Sequence, residues 1–181
     1  MFNTKKFFIF ILFFSVLLAK SFADFTISPK ISADLTKDGL NLGAGISMGM
    51  GFHRGHPFFI DAIAGYRSGV YTVTMNLDWH ILPWNLGVAQ LYLGLGAGVQ
   101  MPFDPKGPLW NPLRLTISGR IPIGLKFFFG TVELFFEASP LLNWLYTSYG
   151  VTNAAGQIVS RTDTHGFGWG IQASTGLRVW W

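Results

Sequence analysis

Leu40, Leu42, Ala44, Ile46, Met48, Met50 and Phe52 are apolar, while Asn41, Gly43, Gly45, Ser47, Gly49 and Gly51 between them are small or polar. Successive side chains of a strand point to opposite faces, so this stretch predicts a strand with one oily face and one Gly-rich face. The same alternation recurs along the chain. Phe25, Ile27, Pro29, Ile31, Ala33 and Leu35 mark one face of a first strand, with Pro29 the weak point because it has no ladder donor. Around residues 58–67, Ile60, Ala62, Ala64 and Tyr66 oppose Asp61, Gly65 and Arg67. Next, Tyr71, Val73, Met75, Leu77 and Trp79 oppose Thr72, Thr74, Asn76, Asp78 and His80.

Four further strands follow. Around 86–101, Ala89, Leu91, Leu93, Leu95, Ala97 and Val99 face away from Gln90, Gly94, Gly96, Gly98 and Gln100. Around 113–127, Leu113, Leu115, Ile117, Ile121, Ile123 and Leu125 face away from Arg114, Thr116, Ser118, Arg120 and Lys126. Around 131–145, Val132, Leu134, Phe136 and Ala138 oppose Glu133 and Glu137, and around 166–181 Phe167, Trp169, Ile171, Ala173, Leu177, Val179 and Trp181 oppose Gln172, Ser174 and Arg178. The expected fold is all-β, an eight-stranded antiparallel up-and-down transmembrane β-barrel over residues 24–181. Turns are expected at 53–57, at Pro83-Trp84-Asn85 and at 129–130 on one side, with connections at 36–39, 68–69, 102–112 and 146–165 on the other. Barrels of the outer membrane have short periplasmic turns and longer external loops. The two longest connections fall on one side, which is therefore the expected exterior.

Composition supports lipid rather than water as the surrounding medium. Only 12% of residues are charged, 50% are hydrophobic and 17% aromatic, against about a quarter charged in an ordinary soluble domain. Residues 1–23 carry basic Lys5 and Lys6, an apolar run from Phe7 to Ala19 and the small-residue site Ser21-Phe22-Ala23, the layout of a cleaved signal peptide. Without that segment ten basic residues face nine acidic ones, and no basic stripe points to nucleic acid. There are no cysteines, so no disulfide and no thiolate metal site.

The inward set of such a barrel carries both signs of charge: Asp61, Arg67, Asp78, Arg114, Arg120, Lys126, Glu133, Glu137 and Arg178. Charges in a lumen are tolerated when paired or hydrated, so a polar plug is expected, with Arg120 or Lys126 facing Glu133 or Glu137; an ion or proton path is the alternative. Aromatic girdles are expected at the two interfaces: Trp79, Trp84, Trp180 and Trp181 at the periplasmic rim, and Tyr66, Tyr71, Trp110, Trp144 and Tyr146 at the external one.

The segment Ser174-Thr175-Gly176-Leu177-Arg178-Val179-Trp180-Trp181 resembles, at Ser174, Gly176, Val179 and Trp181, the C-terminal signal read by the bacterial barrel-assembly machinery, although the usual terminal residue there is Phe. The chain as a whole resembles the small eight-stranded outer-membrane proteins, the class of the outer membrane protein A transmembrane domain and its adhesin-like relatives. The runs Arg120–Leu125 and Glu133–Pro140 are also similar to an uncharacterised spirochaete outer-membrane family. These resemblances imply an integral bacterial outer-membrane protein with lipid and the assembly machinery as partners, and a host or envelope ligand for its loops.

Phe103, Trp110, Tyr149 and Arg161 are the expected external contacts, for adhesion or envelope integrity; a narrow channel or small-molecule carrier is the alternative function. Some outer-membrane barrels are lipid-A-modifying enzymes that use a His with a Ser and an acid at the external rim. His165, Ser160 and Asp163 share the long connection here, but no spacing ties them into a triad. His53 and His56 flank a turn without further convergent ligands, and no helix follows Gly43-x-Gly45 to make a nucleotide loop. No enzyme, cofactor or metal is expected.

Overall fold

The computed structural model of the chain describes residues 24–37, 39–52, 55–67, 69–103, 113–152 and 158–181. The expected signal segment, His53, Trp110 and residues 104–112 lie outside the described residues, as do the side chains of His56, Phe103, Arg114, Tyr146, Tyr149, Ser160, Arg161, Asp163 and His165. Among the described residues nine strands form one antiparallel sheet: β1 (Asp24–Thr36), β2 (Gly39–Phe52), β3 (Gly55–Arg67), β4 (Val70–Asn85), β5 (Ala89–Phe103), β6 (Leu113–Arg120), β7 (Ile123–Phe129), β8 (Val132–Thr152) and β9 (Ile158–Trp180). β1 to β5 pair each with the next, β8 pairs with β9, and β1 also pairs with β9, so the sheet closes into a ring.

The expected eight strands are thus nine, because one crossing is divided. β6 and β7 both lie between β5 and β8. Pro122 separates them, since it lacks the N–H that a continuous ladder needs. Its carbonyl still accepts from Gly94 N at 2.7 Å, and Ile121 N donates to the Pro140 carbonyl at 3.2 Å. Gly96 pairs with Arg120 before the break and Leu93 with Ile123 after it, so the register runs on unchanged and the ring has eight crossings.

Alternation is visible on every side of the ring. Ile27, Ile31 and Leu35 are exposed on β1, whereas Thr26, Ser28, Lys30, Ser32 and Asp34 are buried. On β4, Val73, Met75, Leu77 and Trp79 are exposed, whereas Thr72, Thr74, Asn76, Asp78 and His80 are buried. The outside of the ring is oily and the inside polar, the reverse of a soluble barrel. Among the described residues no helix is long and apolar enough to cross a membrane.

Several connections differ from their sequence reading, and β3 already begins at Gly55, inside the expected 53–57 turn. β4 continues through Pro83-Trp84-Asn85, and the reversal falls at Leu86–Val88, where Gly87 takes φ of 83° and Leu86 N donates to Ala89 O at 2.8 Å. A register shift between His80 and Leu82 absorbs one residue as a bulge. Residues 146–152 and 158–165 are strand, not irregular loop. β8 and β9 stay paired as far as Thr152 opposite Ile158, which makes Tyr149 and Arg161 cross-strand partners rather than loop residues. Phe103 likewise is the last residue of β5. Polar residues there signalled departure from hydrocarbon, but Thr, Tyr, Val and Ile also favour extended backbone. The ladder shifts register between Trp144 and Leu145, opposite Gly166 at φ of 29°, so a bulge interrupts the β8–β9 pairing there.

Candidate functional site: the barrel lumen

The two ends of the ring are told apart by its strands. Phe25 and Trp181 exchange backbone hydrogen bonds at one end, the terminus end. The β8–β9 hairpin projects from the other, the hairpin end. Inward positions of all the strands converge on the space between.

At the terminus end β8 and β9 place Glu133 directly opposite Arg178. Arg178 Nη1 donates to Glu133 Oε1 at 2.6 Å, and Trp180 Nε1 donates to the other carboxylate oxygen at 2.9 Å. The guanidinium lies between two rings, 3.8 Å from the Phe59 centroid and 3.7 Å from that of Phe135. A planar cation between aromatic faces gains electrostatic attraction and loses no hydrogen-bonding edge. His80 stacks on Tyr92 at 4.0 Å and lies 4.5 Å from Phe59. Lys126 holds its ammonium 4.7 Å over Tyr92 and 5.5 Å from Phe59. Large rings fit because the facing wall is glycine: a Cβ on Gly124 would collide with the Tyr92 ring, and one on Gly176 would stand 2.8 Å from Phe135.

Glu137 organises the middle of the lumen. Tyr92 donates to it at 2.8 Å and Arg120 Nη2 at 3.0 Å; Arg120 also reaches Ser139 at 3.0 Å and Asp78 at 2.9 Å. Lys30 bonds Asp61 at 2.6 Å with Glu137 3.6 Å away. Charge-assisted bonds of this kind hold a buried ionic cluster together while each charge keeps an opposite neighbour.

Toward the hairpin end amides and hydroxyls gather around the Asp34 carboxylate. Gln172 donates to Asp34 at 2.7 Å and Asn41 to the same carboxylate at 3.2 Å. Thr72 continues to Asn41, Asn76 to Gln172, and Gln100 to Thr74. Above them opens a cavity of about 50 Å³ bordered by Asp34, Arg67, Asn76, Gln100, Asn143 and Gln172. Its size suits a few water molecules, not a drug-sized ligand.

The residues singled out from the sequence are placed as follows. Asp61, Asp78, Arg120, Lys126, Glu133, Glu137 and Arg178 are buried inside the ring, and Arg67 is half-buried at the hairpin-end mouth, with Nη1 3.4 Å from Thr36 Oγ1. Arg120 meets Glu137, whereas Glu133 is met by Arg178 and not by Lys126; Lys126 stands opposite Phe135 in the ladder. Ser174 is buried, with its hydroxyl 3.4 Å from Glu137, while Val179 and Trp181 face outward and Trp181 stacks on Phe25 at 5.8 Å. Trp180 is not a rim residue: it is 3% exposed and bonded to Glu133, because it shares parity with Arg178. Reading by charge also passed over Lys30, Asp34, Phe59, Tyr92 and Phe135. Strand parity was the signal for each: Lys30 and Asp34 alternate with the oily row of β1, and Tyr92 lies between inward Gln90 and Gly94.

The sequence matches no protein-family model and no curated protein sequence. Its fold is similar to the crystal structure of Neisserial surface protein A, with a TM-score of 0.56 and 13% identity over 87% of this chain and 96% of that one. It is also similar to a major outer membrane protein from Thermus thermophilus, with a TM-score of 0.50 and 11% identity over 88% of this chain and 99% of that one. At these identities the likeness is one of fold, and the fold is that of a small outer-membrane β-barrel.

Proposed function

We propose that the chain is an integral bacterial outer-membrane barrel with a closed, polar lumen, which displays its β8–β9 hairpin and the 102–112 connection for surface interaction, adhesion or envelope integrity. One observation carries this reading: exposed apolar residues surround a ring whose interior is an ion-paired cluster. An oily exterior of this kind is stable in hydrocarbon and aggregates in water. The interior argues for an anchor rather than a conduit. Phe59, Phe135, Arg178 and Trp180 fill the terminus end with side chains no more than 3% exposed.

Conductance across planar bilayers tests the closed lumen. The expected record after insertion has no discrete current steps. Reproducible steps of uniform size would overturn the anchor reading in favour of a channel. The display role draws on the position of Tyr149 and Arg161 on the projecting hairpin, and on Phe103 and Trp110 at and beyond the end of β5.

A further inference from the structure

β9 is paired on its two sides over very different lengths. Its β8 side is bonded as far as Thr152 opposite Ile158. Its β1 side ends at Thr36 opposite Gly170, and among the described residues no strand covers that side from Trp169 back to Ile158. An uncovered strand edge presents a row of N–H and C=O groups that templates another strand. Ile158-Val159-Ser160-Arg161-Thr162-Asp163-Thr164-His165 contains no Pro or Gly and is rich in β-branched residues.

We propose that this edge pairs antiparallel with the same edge of a second copy of the chain, joining barrels that stand in two facing membranes. The proposal rests on the outer-membrane reading above. Charge sets both the partner and the register. Centred on Thr162, a self-pairing puts position 161 of one copy opposite position 163 of the other, an arginine against an aspartate, twice per contact. Centred on 161 or on 163, it puts like charges face to face, which opposes pairing. Within the chain, Arg161 stands opposite Tyr149 and Asp163 opposite Thr147, so neither has a charged residue directly across the hairpin.

Symmetry then fixes the geometry between copies. Two identical antiparallel strands are related by a twofold axis perpendicular to their sheet, an isologous contact. β8 remains paired with β6 out to Leu113 opposite Ser148, so the hairpin continues the barrel wall. The normal to a barrel wall lies in the membrane plane. A twofold axis in that plane inverts the second barrel, which therefore belongs to an opposing membrane. A single contact of so few residues is weak, and many copies on each surface supply the avidity.

The test uses the full folded chain in phosphatidylcholine vesicles. Flotation through a density gradient reports insertion, and light scattering reports clustering of vesicles. The expected result is clustering by the natural chain, its loss in Arg161→Asp and in Asp163→Arg, and its return in the double swap. Inserted protein that leaves vesicles dispersed overturns this proposal alone, as does clustering that ignores the single swaps or is not restored by the double one. Protein that fails to float contradicts the membrane reading and the proposal with it.

Discussion

The two ends of the lumen are built from different chemistry. At the terminus end, Arg178, Glu133, Lys126 and the rings of Phe59, Tyr92, Phe135 and Trp180 pack as a core that happens to be charged. At the hairpin end, amides and hydroxyls of Asn41, Thr72, Asn76, Gln100 and Gln172 relay hydrogen bonds around one carboxylate, Asp34, beneath a water-sized cavity. Removing one member of a buried ion pair strands the other charge, whereas a neutral amide near water is replaced by solvent at small cost. The barrel is thus locked at one end and merely lined at the other.

That contrast orders the expected effects of substitution. Glu133→Gln leaves Arg178 buried without its counter-charge, and unfolding in urea from lipid vesicles is expected to show a loss of about 3–5 kcal/mol. Gly124→Ala forces a methyl into the Tyr92 ring, with an expected cost of about 1–3 kcal/mol. The cost should shrink when Tyr92 is also cut to Ala; purely additive losses in that double-mutant cycle would mean the two do not touch. Asn76→Ala at the hairpin end is expected to cost about 1 kcal/mol. Equal losses for Glu133→Gln and Asn76→Ala would erase the distinction between the two ends.

Much of this architecture was written in the alternation of single residues. The outward rows of β1, β2 and β4 are readable because hydrocarbon outside and polar groups inside give the pattern a period of two. What escaped reading followed from two rules in competition. Tyr92, Phe59 and Phe135 are aromatic residues on a polar face, so parity and polarity disagree there, and packing against Arg178 and Lys126 decides for parity. Trp180 looked like a girdle residue by type, yet its indole N–H belongs to Glu133. Pro83, expected in a turn, sits within a strand past a bulge, and Pro122, expected inside one continuous strand, interrupts pairing without shifting register. The hairpin beyond Leu145 was hidden because polarity reports the surrounding medium, not the backbone. How Glu133 would find Arg178 instead of Lys126 required the register across β8 and β9, which no local pattern contains.

The central claim is that the oily row of each strand meets lipid while the polar row is sealed inside. The chain has no cysteine, so single cysteines along β4 carry spin labels without background. In vesicles, labels at Val73, Met75 and Leu77 are expected to collide readily with oxygen dissolved in the bilayer, and labels at Thr74, Asn76 and Asp78 to be shielded from it. A profile without that two-residue period, or one with oxygen contact at Thr74, Asn76 and Asp78, would contradict the account.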